Sequence, residues 1–402
     1  MSRAELPIGR RVAQWRVRRR MSQQVFADRL GKSKSWVDKV ERGVRALDRF
    51  SVIEEIADVL RIDLVVLLRR DAPPSAAMAG VADGVDGVDG VRAALVRHDV
   101  FRSDVDGRPV PSPDEVAHGV GHAWLAYQHA RYPQLVRMLP DLLDTAGRCH
   151  TRHPDEGAEL LVQAYRISSS VLVKLGDADL AWLAADRAVA AAADDPLRAA
   201  TAAVSLGQAL RALGRERLAM TATVTAAHRI APAPQKASPG ELAVCGTLLL
   251  QGALAAAGCG DAPSVTELVD QAADLADLVG DGPEHHQTSF GPTVVELVRV
   301  VVAAEVGDVG DALRRHAAVT RRDAWRRLPA EHRAAYLVDT ARAYLEVGDL
   351  RGAGRLLVDA DRAAPAEVRC RPTARTVLGE VYRDGPDAPG VARLATAIGL
   401  TR

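Results

Sequence analysis

Between Ser22 and Arg45 the chain reads Ser-Gln-Gln-Val-Phe-Ala-Asp-Arg-Leu-Gly-Lys-Ser-Lys-Ser-Trp-Val-Asp-Lys-Val-Glu-Arg-Gly-Val-Arg. Ser22 and Ser33 are suited to cap helices, because a serine oxygen accepts a hydrogen bond from an unpaired N–H group of the first turn. Gly31 and Gly43 are suited to end helices, since glycine adopts the left-handed conformation without steric penalty. The stretch therefore predicts two short helices joined by a glycine turn, the second opening with lysine and serine.

Apolar residues at helical spacing surround this stretch and extend the prediction to residues 1–70. We expect five short helices around one small core. The apolar residues, helix by helix, are Ile8, Val12 and Trp15, then Phe26, Ala27 and Leu30, then Val37 and Val40, then Ile53, Ile56, Ala57 and Leu60, and finally Leu64, Leu67 and Leu68.

Length and charge divide the chain into a basic first part and an acidic remainder. With 402 residues the chain exceeds one ordinary core, so we expect more than one domain. Residues 1–70 contain 17 Lys and Arg against 9 Asp and Glu, whereas the remainder has 35 against 43. Such a basic segment indicates a nucleic-acid partner. Aromatic residues make up only 4% of the chain, which predicts a core of Ala, Leu and Val.

Cysteine usage and hydropathy indicate a cytoplasmic protein. Four widely separated cysteines, with no CxxC pair, predict neither a disulfide framework nor a cysteine zinc site. The polar, arginine-rich N-terminus lacks the apolar region of a signal peptide. The apolar stretch from Leu242 to Cys259 contains three glycines, Thr247 and Gln251, which favours a buried helix over a membrane span.

A glycine followed in four of five cases by aspartate recurs through the second part of the chain. The pairs begin at Gly176, Gly214, Gly260, Gly307 and Gly348, so the successive spacings are 38, 46, 47 and 41 residues. Repeats of this length built from helix pairs are typical of an α-solenoid. The turns resemble those of tetratricopeptide repeats. We therefore predict an all-α protein with a head at residues 1–70, a flexible Gly/Pro-rich linker with a short helix at 71–113, and a TPR-like α-solenoid of antiparallel helix pairs at 114–402.

The head resembles the phage-repressor/Cro-like (Xre-type) helix-turn-helix family over Ile8 to Leu68. Two positions depart from the family pattern, a lysine at Lys32 and a bulky Trp36. The resemblance implies a transcriptional regulator whose third helix enters the major groove of double-stranded DNA by its N-terminal end. The matching residues are Ser22, Gln23, Phe26, Ala27, Leu30, Gly31, Ser33, Val37, Val40, Glu41, Arg42, Gly43, Ile56, Ala57 and Leu60.

The resemblance also implies roles for individual side chains at the DNA. On the third helix, the residues implied to contact bases and the DNA backbone are Ser33, Lys34, Ser35 and Lys39. Lysine can donate to guanine O6 and N7. Phosphate contacts fall to Gln23, Arg42 and Arg45, with Arg11 and Arg16 as further candidates. The alternative interpretation is a helical bundle with a solvated basic face.

For the second part, two functions remain open. One is a body that dimerises, so that two heads read an inverted-repeat operator, and that senses a small molecule, peptide or protein. The other is a scaffold in which the solenoid docks another protein while the head tethers it to DNA. The chain has no asparagine and only Lys174 and Lys236 beyond the head. This argues against the asparagine-based peptide grip and the lysine–asparagine clamp of known repeat proteins, and leaves arginine-based recognition open.

Evidence for other chemistry is thin. A groove containing Gln163, Arg166, Ser169, Gln208 and Arg211 is one hypothesis, against ordinary solvated helix faces. The histidines at 118, 122 and 129 fall on one helical face, but the aromatic residues beside them favour packing over a metal. No phosphate-binding loop, dinucleotide fingerprint or nucleophile motif is present, so we expect neither a cofactor nor an enzyme.

Overall fold

The computed structural model of the protein describes residues 9, 12–13, 16, 21–45, 52, 55–56, 59–60, 87–96, 110–192, 194–231, 236–384 and 390–400. Within these ranges every regular element is a helix and there is no strand, which confirms the all-α prediction. The chain divides into two compact units, Met1–Ala79, which contains the head, and Gly80–Arg402, called here the body.

The head contains the two capped helices expected from the opening stretch, α1 (Gln23–Arg29) and α2 (Lys34–Glu41). Ser22 Oγ accepts a hydrogen bond from the amide of Val25 at 3.2 Å, and Ser33 Oγ accepts one from the amide of Trp36, also at 3.2 Å. The buried core of the head joins both helices to residues before and after them: Val12, Phe26, Ala27, Leu30, Val37, Ile56 and Leu60.

Some expectations for the head and linker lie outside the described residues. These concern Ile8, Arg11, Trp15, Ile53, Ala57, the fifth helix with Leu64, Leu67 and Leu68, and the flexible segment at 71–86. The short helix expected in the linker is α3 (Val88–Val96). Its Val91 and Leu95 are fully buried in the core of the body, and Arg92 Nη2 lies 2.7 Å from Asp177 Oδ2.

The body is built from helices joined by short turns, so that consecutive helices pack antiparallel. The helices are α4 (Pro113–Gln128), α5 (Tyr132–Arg152), α6 (Pro154–Leu175), α7 (Ala178–Ala191), α8 (Pro196–Ala212), α9 (Glu216–Ile230), α10 (Pro239–Gly258), α11 (Ala262–Val279), α12 (Pro292–Glu305), α13 (Val309–Val319), α14 (Asp323–Arg327), α15 (Ala330–Glu346), α16 (Leu350–Ala363), α17 (Pro365–Arg369), α18 (Pro372–Asp384) and α19 (Val391–Ala397).

The recurring glycine turns have the conformation that the sequence predicts. All five glycines have positive φ, between 67° and 86°. Each aspartate that follows one of them accepts a hydrogen bond from the amide three residues later, at 2.8 to 3.3 Å. Arg215, which follows Gly214, provides no side-chain cap. The glycine closes one helix and the aspartate opens the next, so a two-residue turn reverses the chain.

Alternate helices of the body stack in one row, α4, α6, α8, α10, α12 and α15, while their partners pack outside them. The row curls far enough for α4 to contact α15, more than 200 residues later. One hydrophobic cluster accordingly contains Leu135 and Ala164 from the first helices together with Leu337 and Leu378 from the last. The two ends of the solenoid are therefore packed against each other.

Helix α10 is the apolar stretch that the sequence placed in the interior. It is long and apolar enough to cross a bilayer, with a mean hydropathy of 1.4, but 83% of its most apolar window is buried among neighbouring helices. Its composition follows from its central position in the row, where Leu248, Ala253 and Ala256 are fully buried.

Candidate functional site

One face of α2 presents polar side chains to solvent, from its first turn to its last. Lys34, Ser35 and Lys39 are exposed, whereas Val37 and Val40 on the opposite side of the helix are buried in the head core. Ser35, Lys39 and Arg42 follow one another at spacings of four and three residues, so they lie on one helix face. Burial of the valines against α1 thus fixes which side of α2 is free to meet a partner.

Beneath this surface Glu41 is the hub of a small polar network. Its side chain is only 7% exposed and accepts hydrogen bonds from Arg16 Nε at 2.6 Å and Arg16 Nη2 at 3.0 Å. Gln23 Nε2 donates to Glu41 Oε2 at 2.8 Å. Arg16 also donates to the carbonyl of Met21 at 2.7 Å. Arg16 therefore ties the first helical segment to the end of α2, and its contact with a phosphate stays a prediction.

The two arginines that follow α2 are exposed and held by local contacts. Arg42 Nη2 lies 2.6 Å from Asp38 Oδ2, and both side chains are largely exposed. The guanidinium of Arg45 lies 6.0 Å from the centre of the Trp36 ring, which itself packs against the head core. Trp36 thus provides a flat, half-buried support for Arg45 by a cation–π contact.

The predicted head residues therefore fall into two groups. Lys34, Ser35, Lys39, Arg42 and Arg45 are exposed on or directly after α2. Ser33 and Gln23 also stabilise the fold, Ser33 through its cap and Gln23 through one hydrogen bond to Glu41. The role of Glu41 was not predicted from the sequence, although a glutamate inside a basic segment is a signal that it neutralises a cation there.

The inner row of body helices lines a cavity of about 630 Å³. Its apolar lining, called here the apolar wall, includes Leu250 and Leu254 of α10 with Leu297, Val298 and Val301 of α12. The polar lining residues from α6 and α8 include Arg166, Ser170, Ser205, Gln208 and Arg211.

The structure places the five residues of the predicted groove differently. Arg166, Gln208 and Arg211 line the cavity. Gln163 is buried behind it, where its Oε1 accepts from Trp124 Nε1 at 2.9 Å and from Arg166 Nη1 at 3.0 Å. Ser169 is fully buried in the body and does not line the cavity.

A buried network of ion pairs joins helices from the two ends of the body. Lys174 Nζ lies 2.5 Å from Glu331 Oε1 and 3.0 Å from Glu367 Oε1, and Arg371 bonds both Glu367 and Asp339 at 3.0 Å. Tyr132 also donates to Glu367. Although burial disfavours the charged ammonium, the carboxylates of Glu331 and Glu367 outweigh it and raise the pKa of Lys174. This network links α6 to α15 and α17, so charge holds the two ends of the solenoid together.

Metal-ligand residues do not converge in the described ranges, where no group of three His, Cys, Asp or Glu side chains could hold a metal ion. Two of the histidines singled out in the sequence bond to their own helix: His118 Nδ1 lies 2.7 Å from the carbonyl of Asp114, and His129 Nδ1 lies 2.9 Å from that of Leu125.

Comparison with known proteins gives a family match for the head. Residues 7–70 match the model of a helix-turn-helix domain. No curated protein matches the sequence.

Among solved structures, PlcR from Bacillus thuringiensis, in complex with the peptide PapR7 and DNA, shares 11% identity, with 78% of this chain and 94% of that chain covered and a TM-score of 0.38. ComR from S. thermophilus, in complex with DNA and its signalling peptide ComS, shares 12% identity, with 90% and 99% covered and a TM-score of 0.30. At these TM-scores neither structure supports an argument about this chain. The family match and the geometry of α1 and α2 together identify residues 7–70 as a helix-turn-helix domain.

Proposed function

We propose that the protein is a sequence-specific DNA-binding transcriptional regulator that reads duplex DNA with α2. The observation that carries this proposal is the exposed face of α2, the helix expected to enter the major groove, where Lys34 and Ser35 lie in the first turn and Lys39 in the last turn. Helices of this kind enter the major groove by that end. Lys34 and Lys39 then donate to acceptor groups on base edges, and Ser33 and Ser35 bond bases or the adjoining backbone.

The arginines after α2 and the start of α1 supply phosphate contacts in this proposal. Arg42 and Arg45 are exposed cations one turn beyond the base-reading residues. Gln23 keeps one amide hydrogen for a phosphate, because only the other is needed by Glu41. Phosphate contacts fix the position of the protein along the duplex and make its affinity salt-dependent. The contacts of the lysines with bases determine which DNA sequence is preferred.

We propose that two copies bind together, with the body as the dimerisation unit. One helix-turn-helix domain reads a short half-site, and two half-sites about 34 Å apart are matched by a two-fold dimer. The operator is then an inverted repeat. The protein acts in the cytoplasm, and the body senses a ligand through its cavity, whose volume lies within the usual 300–1,000 Å³ of small-molecule sites. It performs no catalysis.

Selection of bound fragments from random duplexes by the purified full-length chain tests the function. The expected result is enrichment of one inverted repeat, bound as a 2:1 protein–duplex complex by sedimentation. Equal retention of all duplexes at moderate salt contradicts sequence-specific binding. Enrichment of a single half-site at 1:1 stoichiometry contradicts the dimer alone. A stoichiometric protein partner that co-purifies would support the scaffold alternative for the body.

A further inference from the structure

Arg166 of α6 is a buried cation that has no carboxylate partner. Its side chain is among the largest fully buried ones, at 2% exposure, and no Asp or Glu of the described residues lies within ion-pair distance of it. Nη1 donates to Gln163 and Nη2 donates to the carbonyl of His286, each at 3.0 Å, while Nε has no hydrogen-bond partner. The guanidinium also lies 5.4 Å from the centre of the Trp124 ring. Buried charges in proteins are ordinarily paired, so this arrangement lacks an anion.

Nearby acidic groups do not supply that anion. Burial lowers the pKa of Arg166 to about 10, and the more distant charges of Glu159 and Glu284 oppose this effect without cancelling it. Both carboxylates are engaged elsewhere. Glu159 accepts from Gln163 Nε2 at 2.6 Å, and Glu284 accepts from the amide and hydroxyl of Ser289 at 2.6 and 2.8 Å.

The segment 280–291, called here the strap, connects α11 to α12 and lies over Arg166. Three of its residues other than glycine have positive φ: His286 at 50°, Gln287 at 60° and Ser289 at 50°. Such conformations are strained in residues other than glycine and are concentrated at ligand clamps and switch regions. Gln128 Nε2 bonds Gln287 Oε1 at 2.7 Å, so the strap is held at the cavity by α4 as well as by Arg166.

Next to Arg166 the cavity has a second unpaired hydrogen-bond donor and the apolar wall. Ser170 lies one turn further along α6, lines the cavity, and its hydroxyl has no hydrogen-bond partner among the described residues. Leu297, Val298 and Val301 form the apolar wall of the same cavity. A ligand that complements both surfaces has an anionic group at one end and an apolar chain.

We propose that the cavity of the body binds an apolar carboxylate, with its head group on Arg166 Nε and the Ser170 hydroxyl beneath the strap. The ligand supplies the missing counter-charge, and its apolar chain packs on the apolar wall formed by α10 and α12. Carboxylate and guanidinium form the stronger, charge-assisted kind of hydrogen bond. A fatty acid and an apolar peptide with a free C-terminus share this chemistry. The inference rests on the proposed ligand-sensing role of the body and names its ligand class.

Calorimetric titration of the full-length chain without DNA tests the site. Four probes are compared: decanoate, decanol, the tripeptide Leu-Leu-Leu and its C-terminal amide. We expect decanoate or the free-acid tripeptide to bind, and the uncharged partner of each to bind at least about tenfold more weakly. Binding of decanoate alone identifies a non-peptide acid, whereas binding of the free tripeptide alone identifies a peptide. Binding of none of the four, or equal binding of charged and uncharged probes, overturns the proposal.

Two variants separate a ligand site from a structural arginine. Arg166→Met should lose at least about tenfold in carboxylate affinity while the ligand-free protein melts at or above the wild-type temperature, because an unpaired buried charge has been removed. Arg314→Met is the control, since Arg314 is 72% exposed, lies 3.0 Å from Asp311 and does not line the cavity, and it should change affinity by less than about threefold. Unchanged affinity together with a lower melting temperature for Arg166→Met assigns Arg166 to structure and overturns the proposal.

Should Arg166→Met fail to fold, Arg166→Lys and Ser170→Ala test the same contact. Lysine keeps the charge but loses the planar guanidinium, and alanine removes the free hydroxyl. Each should weaken carboxylate binding, and wild-type affinity in both overturns the proposal. DNA affinity is measured separately on the same samples. A chain that binds decanoate but no DNA refutes the proposed regulator and leaves the cavity site standing, whereas DNA binding without carboxylate binding does the reverse.

Discussion

Arg16 and Glu41, 25 residues apart, form a nearly buried ion pair with 2.6 Å between Arg16 Nε and Glu41 Oε1. The exposed fractions of the two side chains are 12% and 7%. This pair joins the first helical segment of the head to the last residue of α2. Glu41 is acidic and is not expected to contact DNA. It instead holds the end of α2, and so helps to fix the orientation of the exposed lysines on that helix.

The first prediction concerns that pair. Arg16→Met leaves the Glu41 carboxylate buried with only Gln23 as a side-chain donor, and loss of one partner of a buried pair costs about 3 kcal/mol or more. We expect the free energy of unfolding of the head to fall by that amount in urea titrations. Arg42→Ala is the control, because the exposed Arg42–Asp38 pair is worth less than about 1 kcal/mol. Equal losses in the two variants would contradict the structural role of Arg16.

A second prediction separates base contacts from phosphate contacts. Lys34→Ala should reduce the preference for the selected operator over random duplexes, with a loss of about 1–3 kcal/mol at one base position. Arg42→Ala should weaken binding to all sequences alike and reduce the slope of log affinity against log salt by about 1. Gel-shift titrations at several salt concentrations measure both quantities. If neither variant changed its quantity, α2 would not be the docking element.

Substitutions at two of the turn glycines test whether the two ends of the solenoid are in contact. Gly176 and Gly214 both have positive φ, at 82° and 67°. A Cβ on Gly176 would lie 2.8 Å from Pro372 Cγ, whereas one on Gly214 would meet nothing within 4 Å. Gly214→Ala should therefore cost about 1 kcal/mol from backbone strain.

Gly176→Ala should cost more than Gly214→Ala by about 1–3 kcal/mol, because it also forces α18 away from the α6–α7 turn. Denaturant unfolding of the two variants checks the difference. Equal destabilisation would mean that the two ends of the solenoid are not in contact in solution.

The ion network around Glu367 predicts how body stability depends on pH. Burial by itself would raise the pKa of this carboxyl, but Lys174 and Arg371 together with the hydrogen bond from Tyr132 outweigh it, so its pKa lies below the ordinary value. A carboxyl whose pKa is lowered by folding adds stability above its unfolded pKa of about 4.3, and this contribution is lost as the pH falls through the folded value. We expect the contribution of Glu367 to stability to be constant from pH 7 to about pH 5 and to decline below that range.

Lys174→Met should change both the level and the pH range of that stability. Loss of the ammonium leaves Glu331 and Glu367 buried with one cation fewer, which costs about 3–5 kcal/mol. Because the pKa of Glu367 then rises, the acid decline should begin at higher pH. Melting curves between pH 3 and pH 7 check this, with Arg362→Met as control for an exposed pair. A decline that begins at the wild-type pH would show that Lys174 does not set the charge of Glu367.

Much of the fold follows from local sequence signals. Ser22, Ser33 and the aspartates after the repeat glycines are caps whose effect reaches only one helical turn, so they can be recognised without any tertiary information. The glycines with positive φ are equally local, because the steric rule that selects them involves only neighbouring backbone atoms. The basic, exposed face of α2 is predicted by the same means, since the buried valines at 37 and 40 determine the opposite side.

Contacts between distant residues are decided by the tertiary structure. The pairing of Arg16 with Glu41, of Lys174 with Glu331 and Glu367, and the burial of Arg166 beside the strap all join segments between 25 and 200 residues apart. Periodicity cannot predict them, because it specifies which side of a helix is buried but not which helix covers it. The sequence by itself determined helices, turns and the helix-turn-helix head, because these depend on contacts within a few residues. Only the tertiary structure decided the cavity, because distant helices line it and because Gln163, Trp124 and the strap bury Arg166 beside it.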